Sequence, residues 1–329
     1  MLPPDALWLP WRGLAASPLD KEWLHLNVFD HATGTIGLVN VLLHGPLGDP
    51  RSLAVATALV HRPGHGWAGN VEPHPLHRAS LGPCSIGLPE AGLGVHHAAG
   101  SLAAAARFAA DGVAVEVRGH AQGPAIVERQ PAPMGGGAIG WYAWPRLAVS
   151  GTLAAGGATL PLGRATAYHD HNWGWWPWRR GGWHWACLQA EGGSPTFVLS
   201  AVTDKRMERD APVRLDVLAG DRHRTLAARA VAGGTLGCLD RRMPGALAAL
   251  HQDRRREGLP AEVHVTAQDG EEWVDLRFRA ASAAQVIAAD PIAEGYAFLH
   301  EMAGTFTSRG QVAGHSVAAA GLGIMEYVL

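Results

Sequence analysis

Residues 167–185 read AYHDHNWGWWPWRRGGWHW, a stretch that combines tryptophans with His, Asp and Asn side chains. It contains six of the thirteen tryptophans of the chain. Tryptophan is too large to pack without a specific partner surface, so this many together must line a core, an interface or a pocket. The polar residues within the stretch indicate which of these environments to expect.

The first half of the stretch alternates in residue type as an extended strand would. Successive side chains of a strand point to opposite faces. One face of this strand would then carry an acid between a phenol and an amide: Tyr168, Asp170 and Asn172. The other face would carry His169, His171 and Trp173.

Asp170 is the candidate for catalysis. A carboxyl group walled by indoles has a raised pKa when it is buried and can stay protonated as an acid. Indole faces can also stabilise a developing cation. This combination predicts protonation of an electron-rich carbon skeleton by Asp170, with Tyr168, His171 and Asn172 as further catalytic residues.

Aromatic and polar residues elsewhere are candidates for lining the same pocket. Residues 22–29, EWLHLNVF, read as a strand in which Trp23, His25 and Asn27 share one face. Such a face fits a cavity wall, although an edge strand with Trp23 over a core and His25 in solvent fits equally. The predicted substrate-binding set is Trp23, His25, Asn27, Trp141, Tyr142, Trp144, Trp173, Trp176, Trp183 and Trp185.

Two other interpretations of the central stretch remain open. His169 and His171, joined by His184 or Asp170, could bind a metal, as in histidine-rich barrel enzymes. Alternatively, the histidines and Asp170 could form a structural hydrogen-bond network, with the tryptophans as interface packing. A protein that only carries an apolar small molecule would have a similar pocket. The acid chemistry requires no cofactor and no metal.

The composition excludes several classes of protein. Net charge is −2 and charged residues make up 17% of 329, so nothing indicates nucleic acid or an anionic membrane as a partner. Three widely separated cysteines, Cys84, Cys187 and Cys238, argue against a disulfide framework. The N-terminus lacks a signal-peptide pattern, and no run of about 18 apolar residues could span a bilayer. We therefore expect a soluble, cytoplasmic protein.

Glycine and proline predict the fold class. The 42 glycines and 22 prolines are spread along the chain and divide it into short segments, which is typical of an all-β protein. An alanine-rich run at 101–110 is ambiguous by propensity, but the Asp-Gly turn and the alternating VAVEV that follow favour a strand. Residues 64–83 read as an irregular connection. Residues 244–259 are the best candidate for a minor helix.

The chain also contains a weak internal repeat. Residues 23–41 and 183–202 share an order: a strand beginning with Trp, a turn containing glycine, and an apolar return strand. This predicts two β-barrel or β-sandwich domains in tandem, at residues 1–178 and 179–329. The Asp170 stretch would then lie at their junction, where ligand sites commonly form.

A family resemblance supports this interpretation. The run from Tyr168 to Gly174, YHDHNWG, followed by WHW at 183–185, resembles the YxDHNxG signature of the carotenoid 1,2-hydratase (hydroxyneurosporene synthase) superfamily. That lipocalin-like group includes fungal Diels-Alderases and is similar in its N-W-G and W-x-W elements to tocopherol cyclases. Residues 22–27, EWLHLN, look like a diverged form of the family's EWWYF-type first strand, with Leu24 and His25 in place of aromatics.

The resemblance implies more than the residues alone do. It implies two lipocalin-like domains and a cofactor-free enzyme that acts on isoprenoid or polyene-type substrates. The acid of the family's YxD element, thought to be the proton donor in the hydratases, falls on Asp170, with Tyr168 beside it. Because the superfamily catalyses hydration, cyclisation and pericyclic reactions, the resemblance leaves the reaction open among these.

Overall fold

A computed structural model of the chain describes residues 5–98, 101–110, 112–128, 131–204, 213–236, 239–241, 259–290, 292 and 295–328. Within these ranges the chain is almost entirely β-structure, with short 3-10 helices at Leu9–Trp11, Gly13–Ala15, Leu76–Arg78 and Glu191–Gly193 and no α-helix. The helix predicted over 244–259 lies outside the described residues apart from Leu259. None of the helical segments in the described ranges has the length and apolar character needed to cross a membrane.

The first half of the chain forms one antiparallel sheet. The strands are β1 (Asp20–Asp30), β2 (Thr35–His44), β3 (Leu53–Arg62), β4 (Gly66–Pro75), β5 (Ser80–Gly82), β6 (Ser85–Gly87), β7 (Ala91–Ala98), β8 (Ser101–Ala110), β9 (Val113–Ala121), β10 (Ile126–Val127), β11 (Ala132–Met134), β12 (Gly137–Ala155), β13 (Ala158–Pro161) and β14 (Ala165–Trp175). Their order in the sheet is β4-β3-β2-β1-β14-β12-β9-β8-β7-β6-β5, and β10, β11 and β13 pair with β12.

The second half forms a closed barrel. Its strands are β15 (Gly181–Ala190), β16 (Thr196–Asp204), β17 (Val213–Ala219), β18 (Arg222–Gly233), β19 (Leu239–Arg241), β20 (Glu262–Asp269), β21 (Glu272–Ala289), β22 (Tyr296–Val312), β23 (His315–Ser316) and β24 (Ala319–Val328). The pairing of β21 with both β20 and β22 closes eight of these strands on themselves. With the curled first sheet, this confirms an all-β chain with two lipocalin-like units.

The alanine-rich run at 101–110 is a strand, as predicted. In β8 every second side chain is buried, including Leu102 and Phe108. β9 alternates in the same way, and Gly112, with φ of +77°, forms the turn between them. Burial of alternate apolar side chains therefore outweighs the helix propensity of alanine here.

The prediction of an irregular connection at residues 64–83 was wrong. Residues 66–75 form β4, which buries Trp67 and Val71, and the short strand β5 follows it. Strand β4 lies at the edge of the sheet. Because an edge strand needs only one of its two sides for pairing, it tolerates Pro73 and Pro75, which made this segment look like a loop.

The two sheets meet through a shared apolar layer. Phe29, Leu38 and Tyr168 of the first sheet pack in one cluster with Cys187 and Val198 of the barrel. Separate clusters fill the inside of the curled sheet and the inside of the barrel. One face of β14 therefore looks towards the barrel, and the other looks into the core of its own sheet.

Candidate active site

Strand β14 lies between β1 and β12, and this arrangement assembles the site. Asp170 is directly opposite His25 of β1 on one side and Ala143 of β12 on the other. Trp23 is opposite Asn172, and Asn27 is opposite Tyr168. Because directly opposed residues share a face, the polar faces predicted separately for the two strands form one continuous surface.

Asp170 sits at the centre of a hydrogen-bond network. Tyr168 Oη donates to Asp170 Oδ2 over 2.7 Å, and Asn172 Nδ2 donates to Oδ1 over 2.7 Å. Trp141 Nε1 lies 3.3 Å from Asp170 Oδ2 and 3.2 Å from Tyr168 Oη. Both carboxyl oxygens of Asp170 thus face fixed donors, which hold the side chain in one orientation.

The surroundings of Asp170 shift its protonation. Its side chain is nearly inaccessible, with a relative exposure of 6%, and this burial raises its pKa to about 7. The hydrogen bonds from Tyr168 and Trp141 act in the opposite direction by stabilising the carboxylate. Burial also raises the pKa of Tyr168 well above its usual value, so the phenol stays neutral. Asp170 can therefore either donate or accept a proton near neutral pH.

Two adjoining cavities lie beside this network. The smaller, about 130 Å³, is lined by Asp170, Asn172 and Trp141. The larger, about 360 Å³, has mostly apolar walls drawn from both sheets, and its volume is within the range of small-molecule sites. The residues that line both cavities are Trp23, His25, Trp183 and Glu326. An apolar guest in the larger cavity could thus extend to Asp170.

Indole rings form much of the wall between the two cavities. Trp23 and Trp183 stack at 6.2 Å with an angle of 19° between their planes. Trp185 also lines the smaller cavity and packs against the ring of Tyr168 at 4.9 Å. The site therefore offers aromatic faces next to the acid, as a cation-forming reaction requires.

His25 adds a neutral donor to the same wall. Asn40 Nδ2 donates to His25 Nδ1 over 3.1 Å, so the remaining ring hydrogen is on Nε2. Burial lowers the pKa of His25 to about 4 and keeps the ring uncharged. His25 Nε2 is buried and has no hydrogen-bond partner within the described part of the chain. It could bind an oxygen atom of a ligand.

His169 and His171 lie on the opposite face of β14, as the alternation predicted. His169 Nδ1 is 2.8 Å from the backbone oxygen of His25, and its Nε2 is 3.1 Å from Asp5 Oδ1. His171 Nε2 is 2.7 Å from Glu22 Oε1. The structure does not bring His171, a predicted catalytic residue, to Asp170, because adjacent strand residues point to opposite faces.

Neither histidine belongs to a metal-ligand group among the residues that the structure describes. Across the described ranges, no three or more His, Cys, Asp and Glu side chains gather in a way that could hold a metal ion. His184, the third predicted ligand, stacks on Tyr327 at 4.0 Å in the barrel. Asp5 bonds to His169, and Glu22 of β1 bonds to both His171 and the Leu9 N–H, so the two carboxylates instead tie the N-terminal segment to the back of β14.

The predicted aromatic set divides between the cavities and the cores. Trp23, Trp141, Trp183 and Trp185 line the cavities. Tyr142, Trp144 and Trp173 share the face of His169 and His171 and pack in or against the core of the first sheet. Trp176 is fully buried behind Trp23 and Trp183, and Asn27 lies beside Tyr168 without lining either cavity.

Two acids of the site were not predicted from the sequence. Glu301 of β22 and Glu326 of β24 are directly opposed, and both line the larger cavity. Each interrupts an apolar strand, FLHEMAG at 298–304 and GIMEYV at 323–328. A charged residue is rarely buried without a partner or a function, and this signal could have identified both.

Comparisons with known proteins agree with this architecture. No protein-family model matches the chain, and no curated protein matches it. Among solved structures, a Nitrosomonas europaea protein provisionally designated AttH superposes with a TM-score of 0.66 at 17% identity, over 99% of this chain and 97% of its own. What it shares with this chain is the fold.

Two further proteins of known structure have the same fold. Kievitone hydratase from Nectria haematococca aligns over 93% of this chain and 88% of its own, with a TM-score of 0.63 and 13% identity. CghA aligns over 95% and 88%, with a TM-score of 0.60 and 14% identity. CghA has also been solved with Sch210972, and this form gives a TM-score of 0.58. At these identities the likeness extends to the fold alone.

Proposed function

We propose that this protein is a cofactor-independent hydratase or cyclase that acts on an apolar, isoprenoid or polyene-type small molecule, with Asp170 as the acid. The observation that carries this proposal is the position of Asp170. It is a buried carboxyl group with a pKa of about 7, and it borders a cavity that is mostly apolar.

The first step is a proton transfer from Asp170 to a carbon–carbon double bond, or a hydrogen bond that polarises a carbonyl group. Burial keeps a useful fraction of Asp170 protonated near neutral pH. Once the proton has left, Tyr168 Oη, Asn172 Nδ2 and Trp141 Nε1 are already in place to stabilise the carboxylate. Donors fixed in advance of the reaction lower its barrier without reorganising.

The positive charge formed on the substrate needs stabilisation in a site with little water. The faces of Trp23, Trp183 and Trp185 supply it through cation–π attraction. Water then captures the cation in a hydratase, or a neighbouring double bond closes a ring in a cyclase. The fold shared with kievitone hydratase and CghA, together with the YxDHNxG-like run at 168–174, supports this class of chemistry.

A substrate panel tests the proposal directly. Purified protein is incubated in D₂O with lycopene, squalene and kievitone, and the products are separated by mass. We expect gain of one water, formation of an isomer, or deuterium incorporation into at least one compound. The Asp170→Asn variant should lose this activity by roughly 10²-fold or more, whereas Asp275→Asn on the outside of the barrel should keep it.

Two outcomes of this experiment would contradict the proposal. Turnover by Asp170→Asn at the wild-type rate would exclude Asp170 as the acid. Tight binding of a panel member that is recovered unchanged and free of deuterium would favour a carrier of apolar molecules instead.

A further inference from the structure

The barrel contributes a second acidic group to the site. Glu301 and Glu326 face each other across the pairing of β22 with β24. Both line the larger cavity, and Glu326 also lines the smaller one, which it shares with Asp170. Carboxyl groups from two different sheets, Asp170 and Glu326, thus border the smaller cavity together.

The two glutamates form a hydrogen-bonded acid pair. Two buried carboxyl groups in contact do not both ionise, so the pair retains a proton. Trp183 Nε1 donates a hydrogen bond to Glu326 Oε1, which favours the negative charge on Glu326 and the proton on Glu301. Burial and the charge of Glu326 raise the pKa of Glu301 well above its usual value.

One oxygen of the pair is open to a ligand. Glu301 has a relative exposure of 4%, and its Oε2 has no hydrogen-bond partner within the described ranges. A buried polar atom without a partner is costly, so its presence on a cavity wall indicates a water molecule or a substrate group that completes it. His25 Nε2, on the same wall, is a second atom of this kind among the residues that the structure describes.

We propose that the Glu301–Glu326 pair is the proton acceptor of the reaction, which removes a proton from the water that captures the cation. This inference rests on the function proposed above and adds its second half. Acid and base would then stand on different walls of one cavity, with the substrate between Asp170 and Glu326.

The steps balance without any reactant other than water. Asp170 gives its proton to one carbon of the double bond, and the π electron pair forms the new C–H bond. The water oxygen forms a C–O bond to the other carbon, its O–H bond breaks, and the proton passes to the Glu326 carboxylate. In a cyclisation, the proton would instead leave a carbon next to the final cation. Exchange with solvent returns a proton to Asp170 and removes one from Glu326.

The charges of the two centres reinforce this cycle. The charge of Glu326 helps to raise the pKa of Asp170, and the charge of Asp170 helps to raise that of Glu301. When Asp170 loses its proton, the pair therefore binds a proton more strongly. The histidines on the walls of the two cavities, His25, His44 and His184, have pKa values lowered to about 4 by burial and stay neutral. The other charged groups of the smaller cavity, Arg214 and Glu128, pair with each other, and Arg214 also pairs with Asp216.

Infrared titration of the free protein tests the coupling without a substrate. Difference spectra in the carboxylic C=O region follow protonated buried acids, and the Asp170 band is assigned as the one absent from Asp170→Asn. We expect Glu326→Gln to lower the pH midpoint of the Asp170 band. The matched control Glu262→Gln, on the outer surface of the same barrel, should leave the midpoint unchanged.

Kinetics with the compound turned over in the panel test the role itself. Glu326→Gln keeps an acceptor for Trp183 but cannot take a proton, so kcat should fall by roughly 10²-fold or more with little change in KM. Glu262→Gln should retain wild-type kcat. If Glu326→Gln does not fold, Glu301→Gln replaces it, and we expect it to lose one protonated-acid band and to lower kcat by roughly 10-fold or more.

Either wild-type kcat or an unchanged Asp170 midpoint in folded Glu326→Gln would overturn the inference. If Glu301→Gln is used instead, a wild-type kcat in that variant would also overturn the inference. An inactive Asp170→Asn combined with a fully active glutamate variant would remove only this inference. A fully active Asp170→Asn would remove the proposed function beneath it.

Discussion

Tyr168 and Asp170 lie two residues apart on the same face of β14, and the Tyr168 hydroxyl donates a 2.7 Å hydrogen bond to Asp170 Oδ2. Both side chains are buried, and the charge of Asp170 helps to keep the phenol neutral. The phenol therefore acts on Asp170 only as a hydrogen-bond donor. Its removal takes away this one hydrogen bond, and the direction of the resulting shift in the pKa of Asp170 can be predicted.

Replacing Tyr168 with Phe should raise the pKa of Asp170 above its value of about 7. The hydrogen bond stabilises the carboxylate, so its loss favours the protonated form. The high-pH limb of the pH–kcat profile should therefore move to higher pH. The maximal kcat should fall, because the carboxylate left after proton transfer is less stabilised. A high-pH limb that stays in place or moves downward would show that the phenol does not tune the acid.

Asp170 should also destabilise the folded protein as pH rises. A folded pKa of about 7, compared with about 3.9 when unfolded, means that the folded state binds the extra proton between these values. The contribution of this proton to the free energy of unfolding is complete below about pH 4 and is lost as pH rises through 7. We expect Asp170→Asn to gain roughly 2–3 kcal/mol relative to wild type between pH 5 and pH 8.

Urea denaturation followed by tryptophan fluorescence measures this difference at the two pH values. Asp275→Asn serves as the control, because its carboxylate pairs with Arg309 at the surface. An offset between Asp170→Asn and wild type that is the same at both pH values would contradict the pKa on which the mechanism depends.

A buried ion pair joins the two sheets near the larger cavity. Lys21 lies in β1, and Asp290 directly follows β21. Lys21 Nζ is 3.1 Å from Asp290 Oδ1, and both side chains are inaccessible to solvent. Lys21→Met leaves the Asp290 charge buried with only His44 and the Trp178 N–H beside it, and should cost about 3–5 kcal/mol of unfolding free energy. The double variant Lys21→Met/Asp290→Asn should lose less than the sum of its two single variants.

The exposed pair Arg164–Glu191, which also links the first sheet to the barrel, is the matched control. Its side chains are 76% and 66% exposed, so Arg164→Ala should cost at most about 1 kcal/mol. Chemical denaturation curves for wild type, the two single variants of the buried pair, their double variant and Arg164→Ala would measure the free-energy contributions of both ion pairs. Additive losses in the Lys21–Asp290 cycle would mean that this pair does not hold the sheets together.

Filling the larger cavity should separate binding from acidity. Ala288 of β21 lines this cavity, and Ala288→Phe should weaken the binding of squalene, or of the compound turned over, by roughly 10-fold or more through steric exclusion. The infrared midpoint of Asp170 should stay unchanged. Ala227→Phe, at an exposed position of β18, controls for the added ring. Undiminished binding in Ala288→Phe would place the ligand elsewhere.

Local alternation accounts for the part of the site that lies on β14. In a strand, each side chain points away from its neighbour's face whatever the rest of the fold does. The grouping of Tyr168, Asp170 and Asn172 on one face, with His169 and His171 on the other, follows from this rule and is confirmed. The boundary predicted between residues 178 and 179, and the internal duplication behind it, remain predictions.

Pairing between distant strands could not be predicted in the same way. Trp141 and Tyr142 are neighbours in sequence, yet only Trp141 reaches Asp170, because the register of β12 against β14 decides which of them shares its face. Tyr142 and Trp144 were assigned to the pocket without that register, whereas Trp173 belongs to β14 itself and lies on the face of His169 and His171 by alternation alone. The register depends on hydrogen bonds between segments far apart in the chain.

Residue type and strand alternation are local properties, and they are enough to predict an all-β chain with an acid between a phenol and an amide on one strand face. They do not reveal what that face meets. Glu326, about 160 residues further along the chain, comes to border the same indole-lined cavity as Asp170, with Glu301 opposite Glu326, only when the two sheets pack. Such packing depends on the shapes of both surfaces at once, and no local pattern encodes that match.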